Sequence, residues 1–182
     1  MISFTNIVRA SRADTHFDIE AMAPVLWNVI LKRSVLVWKD RRIGMTCLLY
    51  TTGTIIVMGK PPGVLNDVSM CYEAARRCIR RYARLLQVKF RTHFKLAQIK
   101  VLTISAKYDV HDTLYYNPIV NGIECTYDPE LFHGIMLRRQ HLHFIVFSTG
   151  KILITGIVKQ SDVTSIILPC VLEICFISTD RK

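Results

Sequence analysis

The chain has 182 residues, 51% of them hydrophobic and 21% charged, and a formal net charge of +10 at pH 7. That balance excludes a disordered polar chain and supports a folded molecule with a sizeable core. No apolar run reaches the ~20 residues of a membrane-spanning helix, so the excess of Lys and Arg points to polyanions, nucleic acid before an anionic membrane surface.

Residues 5–8 read as an opening strand, and residues 17–23 as a short helix closed by Pro24. Residues 29–38 read as one further strand carrying Lys32 and Arg33, followed by a basic turn over 39–42. A β-hairpin over 48–59 comes next, with apolar and β-branched residues on either side of a Thr-Gly turn. Pro61, Pro62 and Gly63 break the chain. The helix that follows starts at Asn66 or Asp67, both good N-caps, and runs to about Gln87. Val68, Cys71, Ala75, Ile79, Tyr82 and Leu86 form its core stripe. Its outer side carries Arg76, Arg77, Arg80, Arg81 and Arg84, either a solvated face or a surface for phosphate or an acidic partner. Residues 94–99 open a second half as a strand, residues 136–147 supply its next strands, and a helix is expected after Ser161. Residues 163–177 are rich in Val, Ile and Thr around Pro169, a composition that also fits a strand or a kinked helix.

Two of these stretches are copies. Leu48-Leu-Tyr-Thr-Thr-Gly-Thr-Ile-Ile-Val-Met-Gly59 and Ile145-Val-Phe-Ser-Thr-Gly-Lys-Ile-Leu-Ile-Thr-Gly156 stand 97 residues apart, with four of twelve positions identical and six more conservative. A duplication on that scale divides the chain into tandem repeats, residues 1–89 and 90–182. Period-two alternation puts Cys47, Leu49, Ile55 and Val57 on one face of the first hairpin and Leu48, Tyr50, Ile56 and Met58 on the other. In the second, Val146, Ile152 and Ile154 oppose Ile145, Phe147, Leu153 and Thr155. Helices of the same repeat can cover one face. The other face is too apolar for open water and calls for a second sheet, a partner or a ligand.

Six cysteines (Cys47, Cys71, Cys78, Cys125, Cys170, Cys175) show no C-x-x-C and no zinc spacing, and read as small buried hydrophobes. The N-terminus has no basic-then-apolar leader, so an intracellular setting is expected. No nucleophile elbow, metalloprotease helix, P-loop or dinucleotide turn is present, and an enzyme is not expected. His141 and His143 share a strand face but have no third metal ligand nearby in sequence.

Tyr127-Asp-Pro-Glu-Leu-Phe-His-Gly134, then Phe147-Ser-Thr-Gly-Lys151 and Ile154-Thr-Gly156, resembles the second repeat of the TATA-box-binding protein family. Asn6-Ile-Val8, Phe17-Asp-Ile19 and Tyr82-Ala-Arg-Leu-Leu-Gln87 resemble its first repeat. Asn28-Val-Ile-Leu-Lys-Arg-Ser-Val35 is similar to the TBP-like factor branch, also called TBP-related factor 2. The resemblance implies an α+β saddle, with two pseudo-symmetric repeats in one curved antiparallel sheet and helices on the convex side. Its concave face would lie on a widened DNA minor groove and kink it with paired phenylalanine wedges. No cofactor is implied, and the setting becomes the nucleus.

By the same resemblance, Phe132 and Phe147 match a wedge pair, Ile145, Leu153 and Thr155 match groove-facing positions, and Arg138 and Lys151 match phosphate contacts. In the first repeat Asn6, Val8, Leu48 and Ile56 match, while the wedge pair becomes Val35 and Tyr50. Met58 replaces a threonine and Thr54 a lysine; Gln98 aligns with the second repeat's asparagine and Lys100 with its valine. These departures imply weak or absent TATA selectivity, as in the TBP-like branch. For protein partners, Asp128, Glu130 and Leu131 match positions that dock general transcription factor IIB, and the strand with Lys32 and Arg33 matches the region that pairs with factor IIA. Three functions stay open at this level. They are a non-TATA initiation factor, a DNA-independent protein that sequesters factor IIA or IIB, and an accessory domain of a nucleic-acid enzyme, against which the lack of any catalytic region speaks.

Overall fold

The computed structural model describes residues 2–60 and 67–179; the expected breaker at Pro61–Gly63 and the alternative cap Asn66 lie outside them. The chain forms two compact units, Asn6–Thr103 and a second made of Met1–Thr5 with Ile104–Lys182. Strand β1 (Ile2–Arg12) is divided between them.

In the unit Asn6–Thr103, the antiparallel strand order is β2 (Val29–Lys32), β3 (Val35–Lys39), β4 (Thr46–Tyr50), β5 (Thr54–Gly59), β1. Alternation decides which face is covered. Leu36, Trp38, Cys47, Leu49, Ile55 and Val57 are buried under helix α2 (Val68–Phe90). The Asp67 side chain caps α2 by accepting from Met70 N–H at 2.9 Å, as the sequence suggested. The stripe Val68, Cys71, Ala75, Ile79, Tyr82 and Leu86 is buried. Tyr82 donates from its hydroxyl to Met45 O at 2.6 Å and accepts from Asp40 N–H at 3.1 Å, which ties α2 to the β3–β4 turn. A short helix, α1 (Ile19–Met22), begins at Asp18, which accepts from Ala21 N–H.

The second unit repeats the plan. The start of β1 lies beside β6 (Lys100–Asp109), followed by β9 (Lys151–Ile157), β8 (Leu142–Val146) and β7 (Ile135–Arg139). Helices α3 (Tyr116–Gly122) and α4 (Leu168–Thr179) pack on each other, and the Arg139–Glu173 ion pair (3.2 Å) ties α4 to β7. A π turn over Val163–Ile167 leads into α4. Its wider coil meets Pro169 in the first turn of α4, where a proline's missing N–H is tolerated. The helix expected after Ser161 therefore forms.

The duplication is visible in the hydrogen bonds. Ala13 N–H donates to Gly53 O (2.9 Å) as Val110 N–H does to Gly150 O (3.0 Å). Phe17 N–H donates to Thr51 O (3.1 Å) as Leu114 N–H does to Ser148 O (2.9 Å). Each second bond is the first moved on by 97 residues.

Three expectations need correction. The stretch 29–38 is two strands, because Lys32 pairs with Val35 across a turn at Arg33 and Ser34, the polar break between two apolar runs. Residues 94–99 are not a strand. Phe94 packs edge-on against Phe17 (5.4 Å), and the backbone is held irregularly, with Ala97 N–H on Arg12 O and Lys95 N–H on Asp14 Oδ1. Helix α2 continues past Gln87 to Phe90 and ends at Arg91, which has φ of 50°.

The six cysteines are free, and burial pushes the Cys71 and Cys170 thiols up to about 11. A small network in the second unit ties the β7–β8 turn to the segment after β9. Asp162, 5% exposed, accepts from Val158 N–H and Lys159 N–H at 2.9 Å each and lies 3.3 Å from His141 Nε2. Burial alone would push this carboxyl up, but the two N–H groups and His141 together hold it below the ordinary carboxylate value. Its ionised form therefore stabilises the fold above the unfolded carboxyl pKa of ~4, and that contribution fades as pH falls through the lowered native value. Asp162→Ala is expected to cost about 1–3 kcal/mol at pH 7 in a denaturant titration, and to remove part of the stability loss that the parent chain shows on acidification.

Candidate nucleic-acid interface

Among the described residues, the helices of each unit leave the second face of its sheet uncovered. In the unit Asn6–Thr103 this face carries Val8, Val35, Val37, Leu48, Tyr50, Ile56 and Met58, all half-buried. The register makes Val35 the neighbour of Tyr50, Leu48 the neighbour of Ile56, and Met58 the neighbour of Val8. Asn6 is half-buried on the same side of β1. The surface is apolar almost throughout, with Thr54 and Arg12 opposite each other at one margin.

In the second unit the corresponding face is mixed. Phe132 (39% exposed) and Phe147 stand edge to face at 6.0 Å, next to Ile145, Leu153 and Thr155. Arg138 and Lys151 are exposed on this face, and His143 lies opposite both Arg138 and Thr155. Strand β6 adds Ser105, Lys107 and Asp109 opposite Thr155, Leu153 and Lys151. Lys107 Nζ is 3.3 Å from the Asp109 carboxylate. Asp109 is held below the ordinary carboxylate value first by His111 N–H.

The aromatic pair is fixed by what surrounds it. A Cβ on Gly134 would stand 2.7 Å from both Phe132 Cε1 and Ile145 Cγ2 and 3.3 Å from Phe147 Cε1, so any larger residue there would force the rings to move. Tyr116 pins the loop behind them: its hydroxyl lies 2.7 Å from His133 O and 3.1 Å from Val146 O, and accepts from Ser148 N–H at 2.8 Å. In the same loop the Asp128 carboxylate accepts from Glu130 N–H at 3.1 Å. Asp128 thus shapes the turn, while Glu130 and the 83%-exposed Leu131 project outward.

Register corrects two alignments implied by the resemblance. Ser105 stands opposite Thr155 as Val8 stands opposite Met58, so the second-repeat counterparts of Asn6 and Val8 are Thr103 and Ser105. Gln98 lies before β6 and lines a cleft under α2 instead; Lys100 is the first residue of β6. Likewise Val35 occupies the place of Gly134, and the counterpart of Phe132 is Arg33 in the β2–β3 turn. The first unit therefore has Tyr50 without a second aromatic beside it. Lys32 and Arg33 are exposed at the end of the edge hairpin, where β2 has no further strand beside it among the described residues of its unit. Met136, Lys107, Arg12 and Tyr116 were not singled out from sequence, and His143 was considered only as a metal ligand. The hairpin offset, extended to β6 and β7, would have placed Lys107 and Met136 on this face.

The family model described as "Transcription factor TFIID (or TATA-binding protein, TBP)" matches residues 85–171. The TATA-box-binding protein of Candida albicans is 25% identical over 165 residues, covering 87% of this chain and 65% of that protein. The TBP-related factor of Drosophila melanogaster is 26% identical over 122 residues, covering 65% of this chain and 50% of that protein. Among solved structures, Methanococcus jannaschii TBP superposes with a TM-score of 0.73 at 20% identity, covering 96% of this chain and 98% of that one. The family model thus matches the chain from the end of α2 into α4, and the similarity to TATA-box-binding proteins extends over most of its length. The chain's α+β architecture is the TBP fold, and it spans between about half and two thirds of the length of these curated relatives.

Proposed function

We propose that this chain is a nuclear transcription initiation factor of the TBP family that binds double-stranded DNA in the minor groove through its open sheet faces, with weakened TATA selectivity. Residues 1–89 and 90–182 are taken as its two repeats. The observation that carries the reading is the contrast between the faces. One has an ordered Phe132–Phe147 pair backed by Gly134, flanked by Arg138 and Lys151. The other sets Tyr50 beside Val35 and carries Met58 where Thr155 stands in the second repeat.

An inserted aromatic offsets the cost of unstacking a base step, on the order of a few kcal/mol. Phe132 and Phe147 are suited to do that, whereas Tyr50, with Arg33 at the place of its second aromatic, does it poorly. Asn6 supplies an amide to the adenine N3 and thymine O2 acceptors, and Thr103 supplies a shorter hydroxyl in place of a second amide. Readout of A·T pairs is weakened at that step. Val8, Leu48, Ile56, Ile145, Leu153 and Thr155 fill the groove. Lys151 neutralises a phosphate; its counterpart Thr54 cannot, but Arg12 stands directly opposite Thr54 and supplies the missing cation.

For protein partners the proposal is general transcription factor IIB at Glu130 and Leu131, presented by the Asp128-capped turn, and factor IIA at the edge hairpin of Lys32 and Arg33. A second reading, a DNA-independent protein that sequesters factor IIA or IIB, is favoured by one observation: the Lys107–Asp109 pair and His143 make part of the open face polar. Charge reversal separates the two. Lys151→Glu with Arg138→Glu is expected to lower duplex affinity at least ~30-fold, since each lost phosphate contact also removes a released counterion, while factor binding is unchanged. Duplex binding that survives the double reversal, measured by fluorescence anisotropy at fixed salt, contradicts DNA binding through this face.

A further inference from the structure

Within the unit Asn6–Thr103, a charged cleft lies under α2, on the covered side of β1. Arg9 sits there opposite Val57 and is 8% exposed. Its Nη1 donates to Tyr72 O at 2.6 Å, its Nη2 to Ile99 O at 3.3 Å, and its Cζ stands 5.4 Å from the centre of the Tyr72 ring. Two carbonyls and a ring face stabilise a cation, but none of them neutralises it. Among the described residues no carboxylate comes within 4.0 Å of the Arg9 guanidinium, and its buried Nε has no hydrogen-bond partner. Burial, the largest influence, lowers the Arg9 pKa, with partial opposition from Glu73.

A guanidinium withdrawn from water without a counter-charge is costly, and an orphaned buried donor adds to the cost. The same side chain lines a cleft of about 540 Å³, together with Arg76, Arg80, Glu73 and Gln98. Glu73 is engaged by Arg76 at 3.4 Å, on the exposed rim. Three guanidinium groups thus share the cleft with one carboxylate. Guanidinium forks match the oxygen geometry of a phosphate group better than that of any neutral ligand, and a tetrahedral oxyanion has enough acceptors to serve several of them at once.

We propose that this cleft binds a phosphate-type oxyanion, as free phosphate or a phosphomonoester, held between Arg9 in the floor and Arg76 and Arg80 at the rim. The site is on the helix-covered side of the sheet and is independent of the DNA-binding reading of the open faces. Gln98 adds a neutral amide donor to it.

The test is a titration of the full chain with inorganic phosphate and, separately, with O-phosphoserine, each against chloride at constant ionic strength. Arginine Nε–H resonances report the floor of the site, and calorimetry gives the affinity. The proposal predicts a saturable shift of the Arg9 Nε–H signal and an affinity lowered at least about tenfold in Arg76→Gln with Arg80→Gln. These two positions are on the helix surface, so that variant remains folded; Arg9→Met, checked for folding by circular dichroism, is expected to abolish the response. Stronger binding of phosphate points to the free ion, and stronger binding of phosphoserine to a phosphorylated residue. A non-saturating response to both ligands overturns the proposal. So does an affinity unchanged in the folded Arg76/Arg80 variant, which places the anion elsewhere.

Discussion

Replacing Phe132 and Phe147 together by Ala is expected to lower duplex affinity at least ~100-fold, while Tyr50→Ala lowers it less than ~10-fold. The two rings are the exposed aromatic pair of their unit's open face, at 6.0 Å and 70° to each other, and they are braced by Ile145 and by the absence of a side chain at Gly134. Tyr50 has a valine as its cross-strand neighbour and an arginine where the second aromatic would be. A wedge acts only if it is rigid enough to enter the stack, so the loss should appear mainly as faster dissociation and as a reduced bend. Stopped-flow anisotropy gives the first and end-to-end energy transfer in a labelled duplex the second. Both phenylalanines retain solvent exposure, so a melting curve near that of the parent is expected to accompany the loss. Equal effects of the Phe132/Phe147 and Tyr50 replacements would mean that the two faces contribute alike, against the asymmetry proposed above.

Gly53→Ala and Gly150→Ala are expected to be the most damaging single-methyl additions to the fold, at about 3 kcal/mol or more each. Both glycines turn a hairpin at positive φ, +83° and +76°. There an alanine is strained even in open space. Space is also lacking: a Cβ on Gly53 would run into Thr15 O, and one on Gly150 into Asp112 O. Backbone carbonyls cannot swing aside as a flexible side chain does. The collision partners are themselves 97 residues apart, so both repeats carry the same constraint. Urea melts of the two variants are expected to show midpoints displaced by similar amounts. A loss under about 1 kcal/mol in either would mean that the turn relaxes without cost.

The hairpins were legible because three signals coincide in them: period-two alternation, β-branched residues and a glycine where positive φ is needed. Helix α2 was legible from its stripe and its Asp67 cap. What failed was part of the alignment implied by the resemblance. Gln98 resembles asparagine, and so it drew the role that register gives to Thr103; Val35 is the apolar residue nearest the expected aromatic, although register gives that place to Arg33. Carrying the 97-residue offset of the hairpins through β6 would have avoided the first error from sequence alone. The break of residues 29–38 into two strands is harder to foresee. It depends on β2 folding back on β3 rather than on any strong turn residue, since neither Arg33 nor Ser34 has positive φ. Tyr116 and Arg9 act through contacts with carbonyls far along the chain, from Tyr116 to His133 and Val146 and from Arg9 to Tyr72 and Ile99. No periodicity encodes such contacts. The π turn before α4 likewise has no sequence signature beyond an awkwardly placed Pro169.

On the proposed reading, the chain binds duplex DNA mainly through charge and one aromatic pair, with weakened reading of TATA. Binding of the unmodified chain to two short duplexes, one with a TATA element and one scrambled, across a salt series tests it most directly. Nearly equal affinities that fall steeply and in parallel with salt are the predicted result. A tight complex selective for the TATA duplex, or no binding to either duplex at low salt, would contradict it.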